Sequence, residues 1–111
     1  MDFVLAKALK DAGFYQGGKG TRVAPPAKLI VRRDDFAYVP TLEELIEACP
    51  KRIVNHEFAL RHYGASRWIA GYTLYEDWTP AQGIGKSPTE AVARLWLALH
   101  EKEAANDRHL R

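Results

Sequence analysis

The spacing of apolar positions changes several times along the chain, and each change predicts an element. Over residues 2–12, Val4, Leu5, Ala8, Leu9 and Ala12 form one stripe at helical spacing. Asp2 stands where an N-cap accepts the first free amides, and Gly13 where left-handed backbone ends a helix. So short a helix is marginal alone, so its stripe must dock on something. A second helix is predicted over residues 41–49. Thr41 and Glu44 have capping-box spacing, Leu42, Leu45, Ile46 and Cys49 follow at i, i+3, i+4, i+7, and Pro50 sits just past the end. The strongest helix covers residues 88–103. Ser87-Pro88-Thr89-Glu90 caps it, with Pro at the first helical position, and Ala91, Val92, Leu95, Ala98 and Leu99 form a stripe that Trp96 widens.

Between the helices the period drops to two. Residues 52–63 place Val54, His56, Phe58, Leu60 and His62 on one face, and Ile53, Asn55, Glu57, Ala59, Arg61 and Tyr63 on the other. Gly64-Ala65-Ser66 then supplies a short loop before residues 67–78. If Tyr63 opposes Arg67, His62 faces Trp68, Leu60 faces Ala70, Phe58 faces Tyr72 and His56 faces Leu74, all on the apolar side. A slip of one residue would mix the faces, so this register is predicted. Upstream, Lys28–Val31 suggests a brief strand, Asp34-Asp35 a turn, and Phe36, Tyr38 and Val39 an extended stretch. Residues 16–27, with their glycines and prolines, read as a flexible loop, and residues 77–85 as another loop.

An isolated hairpin is barely stable in water and needs a helix across its apolar face. The expected fold is therefore α+β. A two-stranded or small antiparallel sheet packs against the long C-terminal helix, with N-terminal and short middle helices beside it. At 111 residues this is one domain, taken as residues 1–103, with 104–111 a frayed tail. The other hairpin face must meet solvent, the first helix or a partner.

Composition narrows the chemistry mainly by exclusion. A single cysteine, Cys49, forbids an internal disulfide or multi-cysteine metal site, and its place on a helical stripe marks it as a buried hydrophobe. No apolar run is long enough to span a membrane and no signal peptide opens the chain, so a cytoplasmic protein with no membrane partner is expected. The net charge is +2. Residues 1–40 hold seven bases against four acids, an excess too small to demand a polyanion.

Two segments resemble phosphate loops. Gly13-x-x-x-x-Gly18-Lys19 is followed by Gly20 where Ser or Thr is required, and it follows a helix where a strand is required. Gly83-Ile84-Gly85-Lys86-Ser87 opens a helix, but its first glycine position holds Pro80, and Pro88 removes an amide. Both are read as structure, with Ser87 a cap. His56 and His62 share a strand face about 20 Å apart, beyond a shared metal, and His100 and His109 form no i, i+4 pair. The sharper idea for His62 is a stack on Trp68. Adjacent carboxylates at Asp34-Asp35, Glu43-Glu44 and Glu76-Asp77 point apart, and no serine has nucleophile-motif surroundings. No catalytic residue, metal or cofactor is assigned, and no enzyme activity is expected. Trp68, Trp78, Trp96, Phe58 and Tyr72 read chiefly as core. Arg61, Tyr63, Arg67 and Tyr75 carry the residue types that anchor protein interfaces.

The run Phe36–Cys49 with its "PTLEELIEAC" segment, then a hairpin bearing a Trp, then Ser87–Leu99 with "SPTEAVARLWLAL", resembles a group of small uncharacterised phage and prophage proteins, similar in shape to the phage αβα-sandwich family. The likeness covers roughly residues 36–102, and its motifs are helix caps and core stripes, so no activity comes with it. With a compact α+β core, no catalytic constellation and an aromatic, arginine-bearing second hairpin face, the expectation is a non-enzymatic phage or prophage accessory protein in the host cytoplasm that binds a host or phage macromolecule, foremost a protein, as an inhibitor of a host system would. The alternative is nucleic-acid binding through Lys19, Arg22, Lys28, Arg32 and Arg33. The oligomeric state is open.

Overall fold

The computed structural model describes residues 1–53, 56–64, 66–72 and 82–109, and the account below is of these. Helix α1 spans Phe3–Asp11, β1 Thr21–Val23, β2 Ala37–Val39, α2 Leu42–Ala48, β3 Arg52–Ile53, β4 His56–His62, β5 Trp68–Tyr72, β6 Gln82–Gly85 and α3 Pro88–His109. A single 3-10 turn, Arg33–Asp35, stands between β1 and β2. The fold is α+β, with a four-stranded antiparallel sheet in the order β3-β4-β5-β6 and a separate β1-β2 pair.

The caps form as the spacing predicts. Asp2 accepts from the Leu5 amide at 2.9 Å, and Thr41 and Glu44 make a reciprocal capping box. The hairpin register is also as predicted: Phe58 opposes Tyr72, Leu60 opposes Ala70 and His62 opposes Trp68, with the Tyr63 amide donating to the Arg67 carbonyl at 2.7 Å. The His56–Leu74 pair lies outside the described residues. His62 and Trp68 do stack, with ring centroids 4.4 Å apart.

Five expectations need correction. The flexible loop 16–27 contains β1, which pairs with β2 through Thr21↔Val39 and Val23↔Ala37. Lys28–Val31 is no strand: its backbone has no neighbour to pair with, and all three aliphatic side chains stay exposed. The 77–85 loop ends in β6, whose Gln82–Gly85 pairs with β5. Period-two patterning could not show this, because glycine occupies every inward position. The C-terminal helix continues to His109, past the boundary drawn at residue 103 and into the supposed tail. Val4, read as part of the α1 stripe, faces solvent, and the helix buries Leu5, Ala6 and Leu9.

One hydrophobic core joins three layers. Leu5, Leu9 and Phe14 come from α1 and its exit, Leu45 and Cys49 from α2, Ala70 and Tyr72 from β5, and Ala91, Val92, Leu95 and Trp96 from α3. Phe14 meets Trp96 edge-on at 4.9 Å. Helix α3 lies mainly over β5 and β6. Gly83 and Gly85 permit this close approach. A Cβ on Gly83 would overlap the Ala91 carbonyl and the Leu95 amide, and one on Gly85 would come 2.6 Å from the Glu90 Cβ. The Tyr72 ring is buried under this roof, while Phe58 is only half-buried and packs edge-on against it at 6.1 Å.

Candidate interaction surface

The strand pairing sets what the sheet presents outward. Arg61 pairs with Ile69, and Ile69 with Ile84, so one row of an arginine and two isoleucines crosses β4, β5 and β6 on the face away from α3. Ile84 is 40% exposed and Tyr63, just past β4, 48%. Arg61 and Arg67 are exposed as well. Three of the four residues expected to anchor a partner, Arg61, Tyr63 and Arg67, thus lie together at one end of the hairpin. Tyr75 lies outside the described residues, as does Trp78. Ile84 was missed by sequence reasoning because its strand was read as a loop. Its flanking glycines, inward on both sides, leave no apolar alternation that would mark it.

Among the described residues β6 is an edge strand of the sheet, and that edge is guarded. The Arg94 guanidinium donates to the Ile84 carbonyl at 2.6 Å, blocking an edge acceptor that another strand would use.

The basic residues of the N-terminal region divide differently. Lys28 forms an ion pair with Asp35 at 2.8 Å. That ammonium, with the Arg32 amide, holds the Asp35 carboxyl below its usual range. Arg22 sits on β1, and Lys19 belongs to the glycine-rich loop. The five expected nucleic-acid contacts are thus distributed over the loop, a strand and a turn, with Asp34 and Asp35 among them.

Neither phosphate-loop-like segment offers free amides at the positions that matter. The Lys19 amide donates to Glu44 Oε2 at 3.3 Å, and the Gly20 amide to the Tyr38 hydroxyl at 2.5 Å. That hydroxyl donates in turn to Glu44 Oε1, and the Tyr38 amide donates to Gln16 Oε1 at 3.0 Å. The loop is thereby latched to β2 and the start of α2. The Thr41 amide and then the Tyr38 hydroxyl keep the Glu44 carboxyl below its ordinary range, while burial raises the Tyr38 phenol above its own. At the second segment the Lys86 amide donates to Glu90 Oε2 at 2.9 Å, and the Glu90 amide to Ser87 Oγ at 3.2 Å. Ser87 is a cap, as read.

Cys49 is buried, and burial pushes its thiol up to about 11. The Tyr72 phenol is pushed up to about 12 by burial and donates to the Pro50 carbonyl at 2.8 Å. Neither is poised as a nucleophile or base near neutrality. Among the described residues no group of three or more His, Cys, Asp or Glu gathers to hold a metal, and no helix is long and apolar enough to cross a membrane. A shallow groove of about 520 Å³ runs between α2 and β3-β4, floored by Ile46, Pro50 and Phe58. No family model, curated protein or solved structure matches the chain.

Proposed function

We propose that this protein is a non-enzymatic accessory protein, of the phage or prophage kind its motifs resemble, that works by capturing a protein partner on the outer face of its sheet. The observation carrying this reading is the row Arg61–Ile69–Ile84 with Tyr63 and Arg67 at its end. It is an apolar strip beside two guanidiniums and a phenol, on the face opposite the helical roof. Arginine and tyrosine are over-represented among interface anchors, and a β-sheet holds them in fixed register. Its complement is a partner with an apolar centre and carboxylates at the rim. Burial of the Cys49 thiol and the Tyr72 phenol, and internal bonding of the loop amides, support binding over catalysis.

The test is the triple variant Arg61→Glu, Tyr63→Ser, Arg67→Glu. All three side chains are exposed, so its circular dichroism and melting temperature should match wild type. Capture of the partner retained by the wild-type protein in host extract should be lost. Undiminished capture would remove this face from the reading.

Nucleic-acid binding by Lys19, Arg22, Lys28, Arg32 and Arg33 is disfavoured by the Lys28–Asp35 pair and by the carboxylates interleaved with those bases. A gel shift that appears at low salt and falls steeply as salt rises would favour it instead.

A further inference from the structure

The segment between β1 and β2 carries three consecutive exposed aliphatic side chains. Leu29 is 101% exposed and Ile30 73%, with Val31 beside them also in solvent. Three consecutive aliphatic side chains in water are unfavourable, and the surrounding bonds hold them there. Lys28 and Asp35 close the two legs of the loop at 2.8 Å. The Arg32 amide donates to Asp35 Oδ2 at 2.8 Å, and the Asp35 amide to the Arg32 carbonyl at 3.0 Å. From α1, Lys10 Nζ donates to the Asp34 carbonyl at 2.6 Å and to the Phe36 carbonyl at 3.0 Å. The tip is thus pinned at its base with its aliphatic side chains outward.

Charge surrounds it. Lys28 precedes the aliphatic triplet, and Arg32 and Arg33 follow it. Asp35 is engaged by Lys28 and Asp11 by Lys7, which leaves Lys10, Arg32 and Arg33 against Asp34. An aliphatic point inside a cationic collar fits a phospholipid surface: the side chains enter the acyl boundary while the long basic side chains reach the headgroups. A nucleic acid would reward the cations but offers aliphatic side chains nothing comparable to stacking on aromatic rings. A protein interface draws its anchors from Trp, Tyr and Arg more than from Leu and Val.

We propose that the Lys28–Arg33 tip is a membrane-surface anchor that inserts Leu29, Ile30 and Val31 into anionic phospholipid. The expectation of no membrane partner rested on the absence of a spanning segment, and a surface contact needs none. This inference is independent of the sheet-face reading, because the variants that test each leave the other surface intact.

The experiment is co-sedimentation of the full chain with vesicles of phosphatidylcholine alone and of phosphatidylcholine mixed with phosphatidylglycerol. Wild type should partition onto the mixed vesicles and far less onto the neutral ones, and added salt should weaken binding. Leu29→Ser with Ile30→Ser should cut partitioning on the order of a hundredfold. Arg32→Gln with Arg33→Gln should cut it roughly thirtyfold. The serine variant alters only exposed side chains, and an unchanged melting temperature confirms its fold. Equal binding to both vesicle types, binding indifferent to the serine pair, or no binding would overturn the proposal. So would a tip-dependent dimer in sedimentation velocity without lipid, or a DNA duplex bound more tightly than vesicles and unaffected by the serine pair.

Discussion

Replacing Gly83 with Ala adds one methyl group where the sheet and α3 meet. The added carbon would overlap the Ala91 carbonyl and the Leu95 amide, with the Arg94 carbonyl carbon at 3.0 Å. All three neighbours are helix backbone, so no side chain can swing aside. Either α3 lifts from β6 or β6 bows outward, by about an ångström in either case. A gap of that size forfeits a quarter to a half of the dispersion attraction across it. Leu95 and Val92, both fully buried under α3, are worth about 2 kcal/mol each from burial. Losing part of that, and adding an overpacking cost of about 1–3 kcal/mol, gives a destabilisation of about 3 kcal/mol. For a domain near 100 residues this lowers the melting temperature by roughly 12 °C or more. Thermal unfolding followed by far-ultraviolet circular dichroism measures it. Gly17→Ala is the control, because its new Cβ would approach only the end of the Tyr15 side chain, the hydroxyl at 2.9 Å and the ring carbon bearing it at 3.0 Å. Tyr15 is an exposed side chain that can move. That variant should hold or gain a few tenths of a kcal/mol through the unfolded chain. A Gly83→Ala protein melting with wild type would refute the account of how α3 docks.

Other perturbations test the latch and the core. Tyr38→Phe strips the Gly20 amide of its acceptor and Glu44 of one donor, and should cost about 1–2 kcal/mol in urea unfolding. Acid should loosen the same region. The Glu44 and Asp35 carboxyls are depressed in the folded state, so their contribution is complete above their ordinary values of 4.5 and 3.8 and is lost as pH falls through the lower folded values. Melting temperature against pH should therefore drop in acid for wild type, and less for Glu44→Gln; equal slopes would contradict the assignment. Cys49, with its thiol pushed up to about 11, should resist alkylation at neutral pH until urea unfolds the chain. Rapid native labelling would show the thiol open to solvent.

Elements whose caps and periods agree with the tertiary fold were readable from sequence. Thr41, Glu44 and the Leu45–Cys49 stripe specify α2 locally, and the hairpin register follows from alternation because Phe58, Leu60, Ala70 and Tyr72 must share a buried face. β6 was hidden for the opposite reason. Its inward positions are glycines chosen for the helix above them, so the strand carries no alternation of its own. β1 was hidden because it is short and mostly exposed, held by pairing with β2 rather than by burial. Lys28–Val31 misled because aliphatic residues favour strands only where a neighbouring strand and a covering layer exist. Of the candidate surface, Arg61, Tyr63 and Arg67 were legible from strand parity, while Ile84 required the unseen strand.

The two glycine-lysine segments show why a short motif needs its surroundings before it means chemistry. A phosphate site consists of backbone amides that converge with nothing of their own to bind. Here each segment lies within reach of a carboxylate encoded nearby in the fold. Glu44 comes from the α2 capping box and Glu90 from the first turn of α3. The residue that completes each helix cap also takes the amide a phosphate would need, so an incoming anion would have to displace a negative charge already held by hydrogen bonds. The same glycines that suggest a nucleotide loop are explained by close packing: a Cβ on Gly20 would overlap the Val39 carbonyl, and one on Gly85 would crowd Glu90. The glycines allow the approach and the glutamates bind the amides, which makes both segments joints of the scaffold. What distinguishes the described surface is then what the scaffold holds outward, an ordered arginine–isoleucine row on the sheet and a pinned aliphatic tip between β1 and β2.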